Sequence, residues 1–124
     1  MITGIGTDII KRNKLFIDYL DEKDPFMIKT YSPKEIEQSK SRPVQRDYLE
    51  TRFAGKEAVF KCMNIQGERI ELNEIEILSD EWGKPKVNLY GRALELAIQR
   101  NIRSILISLS YEDEFVFAYA KAQG

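Results

Sequence analysis

The 124-residue sequence contains no histidine and a single cysteine, Cys62. Without histidine, the chain has no Ser-His-Asp or Cys-His catalytic centre and no histidine-ligated zinc site. One cysteine excludes an intrachain disulfide bond and argues against structural zinc. Any metal would have to be a hard cation held by carboxylate oxygens. The available chemistry is therefore that of Asp, Glu, Lys, Arg, Tyr and the backbone.

A strong charge imbalance and long apolar runs are also missing. The formal net charge is −1, from 19 basic and 20 acidic residues, so no global field marks a nucleic-acid-binding protein. No run of about 18 apolar residues is available to span a bilayer. The first residues lack the basic and apolar regions of a secretory signal. We expect no nucleic-acid partner, no membrane span and a cytoplasmic location.

Length and periodicity predict one α+β domain over residues 1–124, since 43% hydrophobic residues suffice for a core. We expect strands at residues 2–10, 75–77, 87–89, 105–110 and 115–120, and helices at 11–20, 33–42, 44–63 and 93–101. The segment 21–29 reads as irregular because Pro25 interrupts it. Ser32-Pro33-Lys34-Glu35 is typical of a capped helix start. The element order predicts a mostly antiparallel sheet with one long helix.

Gly4-Ile5-Gly6-Thr7-Asp8 begins like a dinucleotide-binding turn, but the third glycine of that fingerprint is missing. Two interpretations of Asp8 stay open. It caps the helix expected from Lys11, or it is a carboxylate displayed at a strand end where the glycines clear space for a ligand.

The long helix carries a second acidic candidate, Glu57, one turn after Phe53 and one turn before Lys61. An ordinary i,i+4 Glu–Lys pair would account for this spacing. The neighbouring Phe53 and Phe60 instead place the carboxylate close to the buried stripe. Gly55, inside the same helix, costs about 1 kcal/mol relative to Ala, which indicates a close approach there.

Together these motifs resemble the holo-[acyl-carrier-protein] synthases, the short branch of the 4′-phosphopantetheinyl transferase superfamily. The resemblance is carried by residues 4–9, GIGTDI, and 52–58, RFAGKEA. Further matches are Gly83-Lys84-Pro85, Ser108-Leu109-Ser110 and the strand ending at Ala120. The resemblance covers essentially the whole chain. It implies transfer of 4′-phosphopantetheine from coenzyme A to an acyl carrier protein, in fatty acid biosynthesis, with release of 3′,5′-ADP.

The resemblance implies Mg²⁺ bound by Asp8 and Glu57, with Lys61 placed to contact the phosphates of coenzyme A. The nucleophile would be a serine hydroxyl of the carrier protein. Its proton would pass to Glu57 or to a water on the metal, and the sequence does not choose between them.

The resemblance also implies a homotrimer with coenzyme A in clefts between subunits. The positions matching nucleotide contacts are Arg52, Phe53, Lys84, Pro85, Ser108, Ser110 and Tyr111, although each singly reads as an ordinary turn, strand or core residue. Acyl carrier proteins of this class are acidic, so we expect a basic docking face, with Lys11, Arg12 and Lys14 as candidates. A solvated helix face is the alternative for these three residues.

Three positions depart from the family pattern. Tyr111 stands where a histidine is usual, and a phenol cannot become cationic. The glycine-rich loop after the long helix is reduced to residues 64–67, and Lys14 replaces an arginine, which loses the bidentate fork. These departures keep two alternatives open: a coenzyme A-binding homologue without transferase activity, and a transferase for a polyketide or peptide-synthesis carrier domain.

Overall fold

The computed structural model describes residues 1–12 and 21–124. The strands are β1 (Ile2–Lys11), β2 (Ile75–Ser79), β3 (Pro85–Leu89), β4 (Ser104–Tyr111) and β5 (Phe115–Gln123). The helices are α1 (Pro25–Thr30), α2 (Pro33–Lys40), α3 (Gln45–Cys62) and α4 (Gly91–Gln99), with a 3-10 turn at Leu72–Glu74. The α+β prediction is confirmed. The helix expected at 11–20 lies mostly outside the described residues, and Lys11 belongs to β1.

All strand pairs are antiparallel, and they form two sheets. The first has the order β1-β5-β4, and the second is the β2–β3 hairpin. Helix α3 packs on β1, β4 and β5 and also on β2, so it is the element that both sheets share. Gly55 lies at the crowded point of this packing, because a methyl group there would approach Ile77, Ile107 and Leu109 too closely. The predicted close approach is thus confirmed.

The core lies between α3 and the three-stranded sheet. Ala54, Ala58 and Val59 of α3 are fully buried against small side chains of β5, including Ala118 and Ala120. Small residues on both sides let the helix lie close to the sheet. A second, smaller cluster forms where α1 and α2 meet α3; it contains Met27, Tyr31, Tyr48, Leu49, Ile36 and Phe53.

The helix starts follow local chemistry. Ser32 accepts a hydrogen bond from the Glu35 backbone and the Glu35 carboxylate accepts one from the Ser32 backbone, so the predicted capping box is confirmed. The irregular reading of residues 21–29 is wrong for its second half. Asp24 caps α1 by accepting from Phe26 N, and Pro25 takes the first helical position, where its missing N–H has no cost. Among the described helices, none is long and apolar enough to cross a membrane.

Candidate functional site

Asp8 lies on the face of β1 that α3 covers. Side chains alternate along a strand, so residues 4, 6 and 8 point to the same side. A methyl group at residue 4 would overlap the carbonyl oxygen of Cys62, and one at residue 6 that of Ala58. The two glycines therefore let the C-terminal half of α3 lie directly on β1. The next residue on that face, Asp8, is brought beside the same turns of the helix.

This geometry corrects two sequence interpretations. The glycines clear space for α3 rather than for a ligand. Asp8 lies within β1, paired in register with Ala118, and so is neither at a strand end nor the cap of a following helix. The Gly-x-Gly-x-Asp pattern therefore lets a helix pack closely on the strand. It also places a carboxylate at the end of that contact.

Lys61 of α3 reaches across to β1 and bonds to the Asp8 side chain. Its ammonium donates to Asp8 Oδ1 at 2.9 Å and to the carbonyl oxygen of Thr7 at 3.0 Å. The second carboxylate oxygen, Asp8 Oδ2, is buried and has no hydrogen-bond partner among the described residues. A buried acceptor without a donor is costly, so this oxygen is suited to a ligand.

Glu57 is half-buried one turn before Lys61 and interacts electrostatically with both Lys61 and Asp8. Burial, and secondly the negative charge of Asp8, raise the pKa of Glu57 above its ordinary value, while Lys61 lowers it. A carboxylate whose pKa is raised by a neighbouring carboxylate is suited to binding a cation.

Beside Asp8 and Lys61 lies an open depression with a volume of about 620 Å³. Asp8 and Lys61 line it on one side, and Ser108 and Ser110 of β4 line it from across the sheet. The remaining walls are Thr7, Ile9, Phe117, Ala118 and Tyr119. The structure therefore brings Asp8 and Lys61 to one depression with both serines of the Ser-x-Ser motif, whereas Glu57 is not among its lining residues.

A second cleft, with a volume of about 270 Å³, is lined by residues that include Arg52, Tyr111 and Gly83. The Arg52 guanidinium lies 3.8 Å from the centroid of the Tyr48 ring and donates to Ser79 Oγ at 2.6 Å and to the Ile77 carbonyl at 3.4 Å. None of these partners is a carboxylate. Among the described residues the Arg52 guanidinium is thus positioned without an ion pair to a carboxylate, which suits an anion in the cleft.

Arg42 lines the same cleft and was missed by the sequence analysis. Its guanidinium lies 5.5 Å from the centroid of the Tyr48 ring, and its Nε is buried without a hydrogen-bond partner in the described part of the chain. Arg42 lies between α2 and α3, outside any motif or periodic pattern. Only the packing of the two helices reveals that it shares Tyr48 with Arg52.

The remaining predicted nucleotide residues lie apart from these walls. Lys84 is exposed in the β2–β3 turn beside Gly83, where its backbone N–H donates to Asp80 Oδ1 at 2.9 Å, and Pro85 begins β3. Phe53 packs on Phe26, with ring centroids 6.0 Å apart, in the smaller hydrophobic cluster. Phe53 lines neither cleft, so this geometry favours the alternative that it is a core residue.

Tyr111 is 55% exposed, and the Arg12 guanidinium lies 5.4 Å from the centroid of its ring. Arg12 also pairs with Asp47 and donates to Glu50 Oε1 at 2.9 Å. Arg12 is therefore engaged within the chain, which argues against a primary role in docking a partner. Lys11 is exposed and Lys14 lies outside the described residues, so the docking face stays a prediction.

Lys56, the residue before Glu57, takes part in a different polar cluster on another side of α3. Lys56 and Glu35 are both fully buried, with Lys56 Nζ 2.7 Å from Glu35 Oε1. The ammonium also donates to the carbonyl oxygens of Leu72 and Ile75. Glu35 Oε2 accepts from Ile77 N at 2.8 Å. Burial raises the pKa of Glu35 and lowers that of Lys56, and their attraction opposes both shifts.

Glu76 belongs to the same cluster, although the alternation of β2 predicts that it faces solvent. It is 2% exposed and accepts from Ser32 Oγ at 2.6 Å and from the Tyr90 hydroxyl at 3.0 Å. Helix α2 covers this face of the hairpin, so both faces of β2 are buried. The alternation of apolar and acidic residues in β2 would leave one of its faces in solvent, and this expectation is wrong at Glu76.

The donor set around Asp8 fits Mg²⁺. No group of three or more acidic, cysteine or histidine side chains clusters in residues 1–12 and 21–124, so a cage built entirely of protein side chains is absent there. Mg²⁺ usually takes one or two carboxylates and completes its shell with water and substrate phosphates. Asp8, with its unpartnered Oδ2, and Glu57 supply that number.

Residues 4–120 match the model of the 4′-phosphopantetheinyl transferase superfamily. Curated proteins that are similar over nearly the whole chain include holo-[acyl-carrier-protein] synthases. A holo-[acyl-carrier-protein] synthase from Lachnoclostridium phytofermentans is 40% identical over 121 residues, covering 96% of this chain and 93% of that protein. The corresponding protein of Halothermothrix orenii is 36% identical, covering 96% and 95%.

Solved structures agree in fold. The holo-[acyl-carrier-protein] synthase of Neisseria meningitidis superposes with a TM-score of 0.84 at 31% identity, over the whole of both chains. The Plasmodium yoelii acyl carrier protein synthase with ADP bound gives 0.85 at 33% identity, covering 98% of this chain and 95% of that one. A Helicobacter pylori synthase in complex with coenzyme A gives 0.79 at 25% identity, covering 96% and 99%.

Proposed function

The chain belongs to the holo-[acyl-carrier-protein] synthases of the 4′-phosphopantetheinyl transferase superfamily, and from this premise we propose that it works as a Mg²⁺-dependent enzyme at Asp8, Glu57 and Lys61. Its reaction is the transfer of phosphopantetheine to an acyl carrier protein. The observation that carries the proposed site is the buried Oδ2 of Asp8, which has no hydrogen-bond partner among the described residues; Asp8 lines the depression with Lys61 and interacts electrostatically with Glu57.

Asp8 and Glu57 would hold the metal, with coenzyme A phosphates completing its shell. When bound, Mg²⁺ withdraws charge from the phosphoryl oxygens and from the leaving group. Lys61, on an exposed side chain at the rim, contacts the same phosphates as a point charge.

The transfer exchanges one phosphorus–oxygen bond for another. The serine oxygen of the carrier protein bonds to the phosphorus of the phosphopantetheine unit. The bond from that phosphorus to the bridging oxygen breaks, and 3′,5′-ADP leaves with the bond's electron pair. The serine proton passes to Glu57 or to water. The raised pKa of Glu57 makes it a stronger base than an ordinary carboxylate.

Coenzyme A would lie between two subunits, so that one chain supplies the Asp8 depression and its neighbour the Arg42–Arg52 cleft. Within one chain these are separate clefts with no lining residue in common. Arg42 and Arg52 suit a nucleotide phosphate, with Tyr111 beside it. Lys84, Pro85, Ser108 and Ser110 complete the predicted contacts, and Phe53 acts by supporting α3.

Assembly as a homotrimer is supported by the outer face of the three-stranded sheet. The register places Ile5, Ile9, Leu106, Phe117 and Tyr119 on that face, and each is at least 39% exposed. Exposed apolar side chains grouped on one face of a small chain are typical of an interface. Sedimentation at micromolar concentration should give the mass of a trimer, whereas an active monomer would contradict the shared site.

The partner would be an acidic acyl carrier protein of a cytoplasmic pathway, docking on the exposed Lys11 and on Lys14. The alternative of a coenzyme A-binding protein without transferase activity gains no support, because both carboxylates and Lys61 are in place. Incubation with coenzyme A, Mg²⁺ and an apo acyl carrier protein should add the mass of 4′-phosphopantetheine to the carrier. No added mass, with metal and coenzyme A both bound, would refute the proposal.

A further inference from the structure

In the structure the Lys61 ammonium lies beside the carboxylate of Asp8, one of the two residues proposed to bind the metal ion. It donates to Asp8 Oδ1 at 2.9 Å and to the Thr7 carbonyl at 3.0 Å. Both acceptors belong to β1, and the lysine comes from the α3 turn that follows Glu57. The ammonium is therefore a resident cation at the carboxylate pair.

This ion pair contributes little to folding. The Lys61 side chain is 52% exposed, and exposed pairs contribute little to stability. The pair also leaves Asp8 Oδ2 buried and without a partner among the described residues. Its clearer consequence is electrostatic, since it offsets the negative charge that would otherwise attract a divalent cation.

A cation bound by Asp8 and Glu57 is repelled by an ammonium that bonds to the same carboxylate. Phosphate oxygens of coenzyme A remove this conflict, because they offer Lys61 new acceptors at the rim of the depression. Lys61 is exposed, and its hydrogen bonds to β1 are made by its terminal nitrogen, so the end of the side chain can turn towards the phosphates without disturbing α3.

We infer that Lys61 couples the two ligands: it weakens binding of the metal ion alone and, by moving to the phosphates, makes coenzyme A and the metal strengthen each other's binding. This inference rests on the metal site of the proposed function. Coupling of this kind is reciprocal, so coenzyme A must tighten the metal by the same factor by which the metal tightens coenzyme A.

Calorimetric titration of Mg²⁺ into the full chain, with and without saturating coenzyme A and with no carrier protein present, tests the coupling. Coenzyme A should tighten Mg²⁺ binding to the natural protein roughly tenfold. Lys61→Met should bind Mg²⁺ alone roughly tenfold more tightly than the natural protein and show weaker coupling, because only the direct contacts of the coenzyme A phosphates with the metal remain. Lys61→Arg keeps the charge and should keep the coupling.

Lys29→Met is the matched control, since it removes one exposed lysine charge from α1, which packs on the 3-10 turn. It should leave both affinities unchanged. Lys61→Gln replaces Lys61→Met if that variant loses its helical circular dichroism.

The outcomes separate the coupling from the metal site itself. Equal affinities of Lys61→Met and the natural protein for Mg²⁺ alone would overturn the coupling and leave the proposed function standing. Absence of Mg²⁺ binding to the natural protein, with coenzyme A present, would refute the metal site on which both depend.

Discussion

Lys56 and Glu57 are consecutive in α3 yet belong to polar clusters of opposite character. The Lys56–Glu35 cluster is fully buried, and its charges have partners on α2, β2 and the 3-10 turn. The Asp8–Glu57–Lys61 cluster is partly exposed, and Asp8 Oδ2 has no hydrogen-bond partner among the described residues. A satisfied network stabilises one arrangement of the chain, whereas an unsatisfied one keeps binding energy available for a ligand.

The comparison predicts that the buried cluster dominates stability. Lys56→Met leaves the Glu35 carboxylate buried without its cation, so the free energy of unfolding should fall by about 3–5 kcal/mol. Lys61→Met, the matched change in the open cluster, should cost less than about 1 kcal/mol. Denaturant unfolding of the metal-free proteins measures both. Similar losses for the two variants would remove the distinction between the clusters.

Activity, in contrast, should depend on the Asp8–Glu57–Lys61 cluster. Asp8→Ala and Glu57→Ala should each abolish transfer, because each removes one of two proposed metal ligands. Their free energies of unfolding should stay within about 1 kcal/mol of the natural value, because Asp8→Ala removes an ion pair with a largely exposed lysine and Glu57→Ala relieves its repulsion with Asp8. Phosphopantetheine incorporation at saturating Mg²⁺ gives the first quantity and denaturant unfolding the second. Near-normal turnover in either variant would show that the two-carboxylate site is wrong.

The pH dependence of stability gives a further test of the Asp8–Glu57–Lys61 cluster. Burial and the Asp8 charge raise the pKa of Glu57, so the folded protein binds this proton more tightly than the unfolded chain. The resulting stabilisation is complete below the unfolded pKa of about 4.5 and is lost as the pH rises through the folded pKa. Glu57→Gln lacks this dependence. In EDTA its stability advantage over the natural protein should be larger at pH 8 than at pH 5; an advantage that does not change with pH would contradict the shift.

The smallest expected effect concerns Tyr111, at the edge of the arginine cleft. Tyr111→His should tighten coenzyme A binding by roughly tenfold at most, because a charged donor replaces a neutral one. It should also add a pH dependence near 6.5. Tyr111→Phe should weaken binding if the hydroxyl is used.

Calorimetric titration of coenzyme A at pH 6 and pH 8 compares the natural protein with the Tyr111→His and Tyr111→Phe variants. Equal affinities throughout would remove Tyr111 from the site. Changes in stability rather than affinity would assign the residue to its contact with Arg12.

Local sequence patterns predicted the structure correctly where residues close in the chain determine it. The Ser32–Glu35 capping box, the long helix α3, and the final hairpin followed from caps, periodicity and turns. They failed where burial depends on distant elements. Glu76 alternates like an exposed strand residue, but α2 lies over it, and no pattern within β2 contains that information.

The sequence by itself determined the available chemistry: without histidine and with one cysteine, only oxygen ligands and basic side chains remained. Its motifs also identified the family and named Asp8, Glu57 and Lys61. Only the tertiary structure decided how these residues meet. Two glycines let α3 lie on β1, and this contact of residues about fifty positions apart brings the carboxylates together. The same helix hides Lys56 and exposes Lys61, because side chains five positions apart on a helix point to different sides.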